Sequence, residues 1–137
     1  MSVAGYSGTP LARKLGFKDG GKVFLENPPP NYRTLIAPAR IAIASSLGAD
    51  TDIAHLFVTR RARLAAALRN AREVMRPDAA VWVSWPKKSS KVPTDVTEDT
   101  IREVALPLGL VDIKVCAVDD TWSGLKLVVR RKNRKLA

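Results

Sequence analysis

The sequence predicts an α/β domain built on a mostly parallel sheet that ends in an antiparallel hairpin. Three observations carry that prediction. Residues 53–59 and 79–86 are short runs apolar on both faces, as central strands covered by helices on each side require. Between them Leu64, Leu68, Ala71 and Met75 recur at the i, i+4, i+7, i+11 spacing of one helix face, which makes the stretch from Asp52 to Lys88 a parallel βαβ unit. Last, residues 111–118 and 125–131 alternate apolar and polar around a short acidic turn that ends in Gly124, the pattern of a hairpin.

The elements follow in order. Thr9-Pro10-Leu11-Ala12-Arg13-Lys14-Leu15-Gly16 reads as a short helix, with Thr9 as cap, Pro10 at the first helical position and Gly16 ending it in the left-handed conformation. Lys22 to Glu26 is a first strand and Tyr32 to Ala37 a second short helix. Ala39 to Ser46 reads as strand two. Only Gly48 to Asp52 then precedes the next strand, too few residues for a crossover helix. Either a strand–helix pair is missing from a doubly wound sheet, or these two strands are not neighbours. Thr59 is placed to cap the central helix and Pro77 to stop it. A further helix runs from Thr97 to Leu108, with Thr97 as cap, Glu98 and Asp99 in its first turn, and Ile101, Val104, Ala105 and Leu108 on its buried stripe. In the hairpin, Val111, Ile113, Val115 and Ala117 are expected on one face. The whole is a compact, truncated Rossmann-like three-layer sandwich: one domain over residues 1–131 with a short N-terminal arm, then a basic tail at 132–137.

Composition narrows the function classes. The formal net charge is +10, from 23 basic and 13 acidic residues, which favours solubility and a polyanionic partner without defining a site. One cysteine, Cys116, excludes an internal disulfide, and one cysteine with one histidine excludes the usual His/Cys zinc site. Residues 1–10 carry no apolar signal-peptide core, and no apolar run approaches the roughly 20 residues of a membrane span. The expected setting is the cytoplasm, with no membrane partner.

Four candidate chemistries read as structure. His55 lies inside an apolar strand with no nucleophile at triad-like spacing, which describes a hydrogen-bonded core histidine. Cys116 alternates within a strand as a small packed residue. Trp82 and Trp85, three apart on a strand, point to opposite faces and make no common stacking platform. Asp119 and Asp120 suit the backbone bonding of a turn. No metal ligand set emerges.

The best cluster comes from topology. Ligands of open α/β sheets bind outside the carboxyl ends of the parallel strands. Those ends carry Asn27, Asn31 and Tyr32, then Thr59, Arg60 and Arg61, then Ser84, Trp85, Lys87 and Lys88. Cations, hydroxyls and aromatics without paired carboxylates suit an anion better than acid–base catalysis. Arg60, Arg61, Lys87 and Lys88 are expected to share one edge. The loop after strand one is Pro28-Pro29-Pro30 where a nucleotide site wants glycines, and strand two ends on Ser45-Ser46 where a ribose wants an acid.

Gly5-Tyr6-Ser7-Gly8-Thr9-Pro10-Leu11, His55-Leu56-Phe57-Val58-Thr59-Arg60-Arg61, Trp82-Val83-Ser84-Trp85-Pro86-Lys87-Lys88 and Thr121-Trp122-Ser123-Gly124-Leu125 resemble an uncharacterised bacterial family, domain of unknown function 3052. That resemblance spans roughly Gly5 to Arg131 and implies no established activity. A looser likeness is to class I S-adenosylmethionine-dependent methyltransferases. Arg76-Pro77-Asp78-Ala79-Ala80 sits where those enzymes carry a Lys-Pro-Gly-Gly-like turn before their fifth strand. The likeness implies S-adenosylmethionine as the cofactor, whereas the loop chemistry argues for no cofactor. The function expected is a non-catalytic or degenerate methyltransferase-like binding module for an anionic ligand. The alternatives are a small S-adenosylmethionine-dependent methyltransferase and a basic nucleic-acid accessory protein.

Overall fold

The two strands that are apolar throughout take the middle of the sheet, where both faces are covered. The computed structural model describes residues 10–131. Ile53–Phe57 (β3) and Ala80–Pro86 (β4) are buried at every residue and pair in parallel. Lys22–Glu26 (β1) lies parallel to β3 on its other side, and Ala42–Ala44 (β2) lies parallel to β1 at the edge. Trp122–Val129 (β6) runs antiparallel to β4 and carries Leu110–Ala117 (β5) as the far edge. The six-stranded order is β2-β1-β3-β4-β6-β5.

Helices cover both faces. Leu11–Leu15 (α1) and Tyr32–Ile36 (α2) lie on one, burying Leu15, Tyr32 and Ile36 against Val23, Phe57 and Trp82. Arg61–Val74 (α3) and Glu98–Ala105 (α4) lie on the other, burying Leu64, Leu68 and Ile101 against Leu56, Val83 and Leu127. Trp82 and Trp85 fall into opposite core layers, as their spacing requires. The Trp82 indole N–H donates to the Leu15 carbonyl at 2.9 Å, so α1 is tied to the sheet by its own C-terminal end. Gly16 follows it at φ 83°, in the left-handed region.

β2 and β3 are not neighbours, since β1 lies between them. Relative to a full doubly wound order of 3-2-1-4-5-6, the third strand and its helix are missing. Residues 45–52 return the chain without a helix, through a turn in which the Thr51 amide donates to the Gly48 carbonyl at 3.1 Å and the Gly48 amide to Thr51 Oγ1 at 3.0 Å. Leu47 packs from this segment onto the α3/α4 layer. That return is why strand two, expected over Ala39 to Ser46, keeps a ladder of only three residues.

Local details differ from expectation at three places. Thr59 does not cap α3. The N-cap is Arg60, and Asp95 Oδ1 accepts the Arg61 amide at 2.6 Å from the loop before α4. Thr97 does cap α4, in a reciprocal pair with Thr100. Pro10 is the N-cap of α1 rather than its first residue, and Thr9 lies outside the described residues, as do the rest of the N-terminal arm and the tail at 132–137. In β5 a bulge between Asp112 and Lys114 resets the alternation, so Val111 pairs with Val128 and Val115 with Leu125 on opposite faces. Ile113 and Val115 are left 57% and 54% exposed on the edge strand.

Candidate functional site

The chain leaves β1 through α2 toward β2 on one side, and leaves β3 through α3 toward β4 on the other. Their carboxyl ends therefore part at a topological switch point, where doubly wound folds open a crevice. A cavity of about 330 Å³ lies there. Asn27 lines it from the end of β1, Phe57 to Arg60 and Arg63 from β3 and the first turn of α3, and Trp122 from the start of β6. β6 reaches this edge because it is antiparallel to β4, so its first residue stands beside Pro86, the last of β4.

The floor is aromatic. Phe57 meets Trp122 edge-on with centroids 5.1 Å apart, stacks on His55 at 4.3 Å, and meets Tyr32 edge-on at 5.8 Å. The wall is cationic. Arg63 is held by Glu26 through two contacts of 2.9 Å, Nε to Oε2 and Nη2 to Oε1. Arg60, three residues earlier, is exposed and makes no ion pair or side-chain hydrogen bond among the described residues. Asn27 sits at φ 52°, a conformation its short polar side chain tolerates.

Beneath the floor is a closed polar network. The Tyr32 hydroxyl lies 2.7 Å from His55 Nδ1, and Ser84 Oγ lies 2.7 Å from His55 Nε2. His55 and Ser84 are fully buried and Tyr32 nearly so. Burial lowers the His55 imidazole from 6.5 to about 3 and pushes the Tyr32 phenol far up. Both groups are therefore neutral at ordinary pH. This is the hydrogen-bonded core histidine its strand position implies, with both ring nitrogens occupied.

Of the ten residues singled out at the strand ends, Asn27, Thr59 and Arg60 line the cavity. Tyr32 and Ser84 flank His55 in the core, and Trp85 is buried in the α3/α4 layer. Asn31 is the exposed N-cap of α2. Arg61 turns away, its Nη1 2.7 Å from Glu103 on α4. Lys87 donates its amide to the Thr121 carbonyl at 2.8 Å, and Lys88 opens a single 3-10 turn ending at Ser90; neither lines the cavity. The four cations thus do not share one wall. The sequence reading missed Phe57, Arg63 and Trp122. Arg63 was signalled by its i+3 spacing from Arg60, and Trp122 by the antiparallel hairpin.

Asp119 Oδ1 accepts the Thr121 and Trp122 amides at 2.8 Å each, which fixes the hairpin turn beside the cavity. Burial raises the Cys116 thiol, away from nucleophile chemistry. Among the described residues, no helix is long and apolar enough to cross a membrane.

A model of the family described as "Protein of unknown function (DUF3052)" matches residues 57–131. No curated protein matches the chain by sequence. Among solved structures, it resembles fibrillarin of Aeropyrum pernix in complex with natively bound S-adenosyl-L-methionine, with a TM-score of 0.57 and 13% identity over 83% of this chain and 68% of that one. A protein of Pyrococcus horikoshii gives a TM-score of 0.60 and 10% identity over 88% and 87%. A TehB-like S-adenosylmethionine-dependent methyltransferase of Corynebacterium glutamicum gives 0.52 and 11% over 93% and 91%. At such identities the likeness is one of fold: the chain has the Rossmann-like fold of class I methyltransferases.

Proposed function

The chain belongs to the family of proteins of unknown function DUF3052, and from its site we propose that it is a non-catalytic binding module of methyltransferase-like fold that takes an anionic ligand at the switch-point cavity. One observation carries the reading. Among the described residues Arg60 stands at that cavity as a cation with no carboxylate on it, beside an aromatic floor of Phe57 and Trp122, while its neighbour Arg63 is already neutralised by Glu26. An incoming carboxylate or phosphate supplies the missing partner, and a guanidinium is the side chain best shaped to receive it.

S-adenosylmethionine is the cofactor the fold suggests, and the residues present do not fit its usual seat. That seat needs backbone donors from a glycine-rich turn after the first strand. Pro28, Pro29 and Pro30 have no N–H to give, and the Tyr32 amide is spent on the Pro29 carbonyl at 3.0 Å. β2 ends at Ala44 and is followed by Ser45 and Ser46, with no acid to grip a ribose. The enzyme reading keeps its support from the fold alone.

Calorimetry with S-adenosylmethionine, S-adenosylhomocysteine, ATP, inorganic phosphate and a short oligonucleotide separates the readings. The expected result is salt-sensitive binding of the small anions, weakened at least tenfold by Arg60→Gln. Micromolar binding of S-adenosylmethionine, indifferent to Arg60, overturns it in favour of the methyltransferase. Binding of the oligonucleotide alone, lost with salt, favours a nucleic-acid accessory protein.

A further inference from the structure

A second cavity, of about 520 Å³, lies at the opposite end of the sheet, where the parallel strands begin. The turn from Gly16 to Gly21, the starts of β1, β3 and β4, and Lys126 of β6 enclose it. Of its charged side chains, Asp52 and Asp78 are both drawn to Arg76, and Lys126 is a half-buried cation with no carboxylate on it among the described residues. Arg76 spends Nε on Asp78 at 2.8 Å, Nη2 on Asp52 at 2.5 Å and Nη1 on the Thr51 carbonyl at 3.1 Å. The other Asp52 oxygen accepts the Lys22 amide at 2.8 Å. Lys18 and Asp19 stand on the turn, exposed to solvent.

Lys126 is the exception. Its half-buried ammonium lies beside Gly16, 3.8 Å from where a Cβ would stand on that residue. It has no ion pair or hydrogen bond among the described residues. The residue directly across the hairpin is Lys114, a like charge, whose own ammonium is turned to the Lys14 carbonyl at 3.2 Å. Burial, and then Lys114, hold the Lys126 amine below the usual lysine range. A partly desolvated cation with a repelling neighbour gains from any anion that reaches it. Beside it the walls are apolar: Phe17, Val23, Ile53 and Ala80.

We propose that this cavity is a second ligand site, separate from the switch-point cavity, which receives a small organic anion with its carboxylate or phosphate on Lys126 and its apolar body against Phe17 and Ile53. Arg76, saturated by its own partners, shapes the far wall without contributing charge to the ligand.

The test titrates phenyl phosphate, benzoate and inorganic phosphate at low ionic strength into the full chain, with Lys126 Cε followed by carbon NMR. Phenyl phosphate is expected to bind and to raise the midpoint of the Lys126 titration. In a chain that carries Arg60→Gln, so that the switch-point cavity no longer competes for the probe, Lys126→Met, which keeps the apolar stem, is expected to weaken the remaining phenyl phosphate binding at least tenfold. Three results overturn the proposal: no binding of any probe at millimolar concentration, a Lys126 midpoint unmoved at saturating phenyl phosphate, or affinity that Lys126→Met leaves unchanged in the Arg60→Gln chain. A Lys126 midpoint that phenyl phosphate moves in the parent chain and no longer moves in Arg60→Gln places the anion in the other cavity and equally overturns it. The NMR titration needs no variant and decides the matter even if Lys126→Met fails to fold.

Discussion

Acidifying the protein should unfold it in a window that belongs to one residue. His55 is fully buried, with Tyr32 on one ring nitrogen and Ser84 on the other. Neutral imidazole donates from one nitrogen and accepts at the other, and two hydroxyls complete that chain in either tautomer. Imidazolium donates from both, so the hydroxyl that had donated to the ring loses its acceptor, and the charge has no carboxylate on it among the described residues. The folded chain therefore resists protonation until about pH 3, whereas the unfolded chain takes its proton near 6.5. Between those values the unfolded state holds one more proton, so stability rises with pH and falls on acidification by about 1.4 kcal/mol per unit. From pH 6.5 to 4 the loss comes to about 3 kcal/mol, a large share of a typical domain's stability. Asp52, held low by the Lys22 amide and Arg76, loses its own contribution only below its ordinary value of 3.8, so it does not intrude. Urea unfolding at half-unit pH steps measures the slope. The chain has a single histidine, so its ring-proton resonance gives the native titration without ambiguity. Stability that stays flat from pH 6.5 to 4, or a native midpoint near 6.5, refutes the reasoning.

Two further outcomes test the packing. Leu68 is fully buried at the centre of the α3 stripe, and Leu68→Ala should cost about 2–5 kcal/mol in denaturant unfolding; a change below half a unit of that scale would mean the face is not load-supporting. Asp95→Ala should cost about 0.5–2 kcal/mol by removing the acceptor of the Arg61 amide, and Thr59→Val, measured the same way, should cost less because the Thr59 side chain does not cap the helix.

The parts of the fold that were legible in the sequence are those set by local periodicity. β3, α3 and β4 announce themselves because a strand covered on both faces must be apolar throughout and a half-buried helix must repeat. What local pattern does not carry is partnership across the chain. The cap of α3 comes from Asp95, 34 residues downstream of Arg61, while Thr59 had the right chemistry at the right spacing and faces elsewhere. The bulge at Ile113 has no composition of its own and silently reverses every later side chain of β5. At the site, nearness to a strand's end does not make a residue an edge residue: Ser84 and Trp85 both precede the end of β4 and are buried in opposite layers. Arg60 was found because it follows its strand. Trp122 was missed because its place depends on which neighbour the hairpin chose.

The missing third strand bears on function as well as shape. In a complete doubly wound sheet the segment after strand two supplies a helix and a further strand, and the ribose-gripping acid stands at the end of strand two. Here that segment shrinks to residues 45–52, whose task is to bring the chain back past β1 and fill the α3/α4 layer with Leu47. The same shortening leaves β2 with three residues and no acid at its end. Meanwhile the loop after β1 is stiffened by three prolines, and Glu26 at the end of that strand is committed to Arg63. The β1–β2 side of the crevice has thus lost its donors, its acid and its free carboxylate together. On the β3 and β6 side, Phe57, Arg60 and Trp122 remain around an open cavity. A ligand of the proposed kind would be gripped from one side only, by an aromatic floor and the guanidinium of Arg60, unpaired among the described residues, which favours a compact anion over an extended dinucleotide-like cofactor.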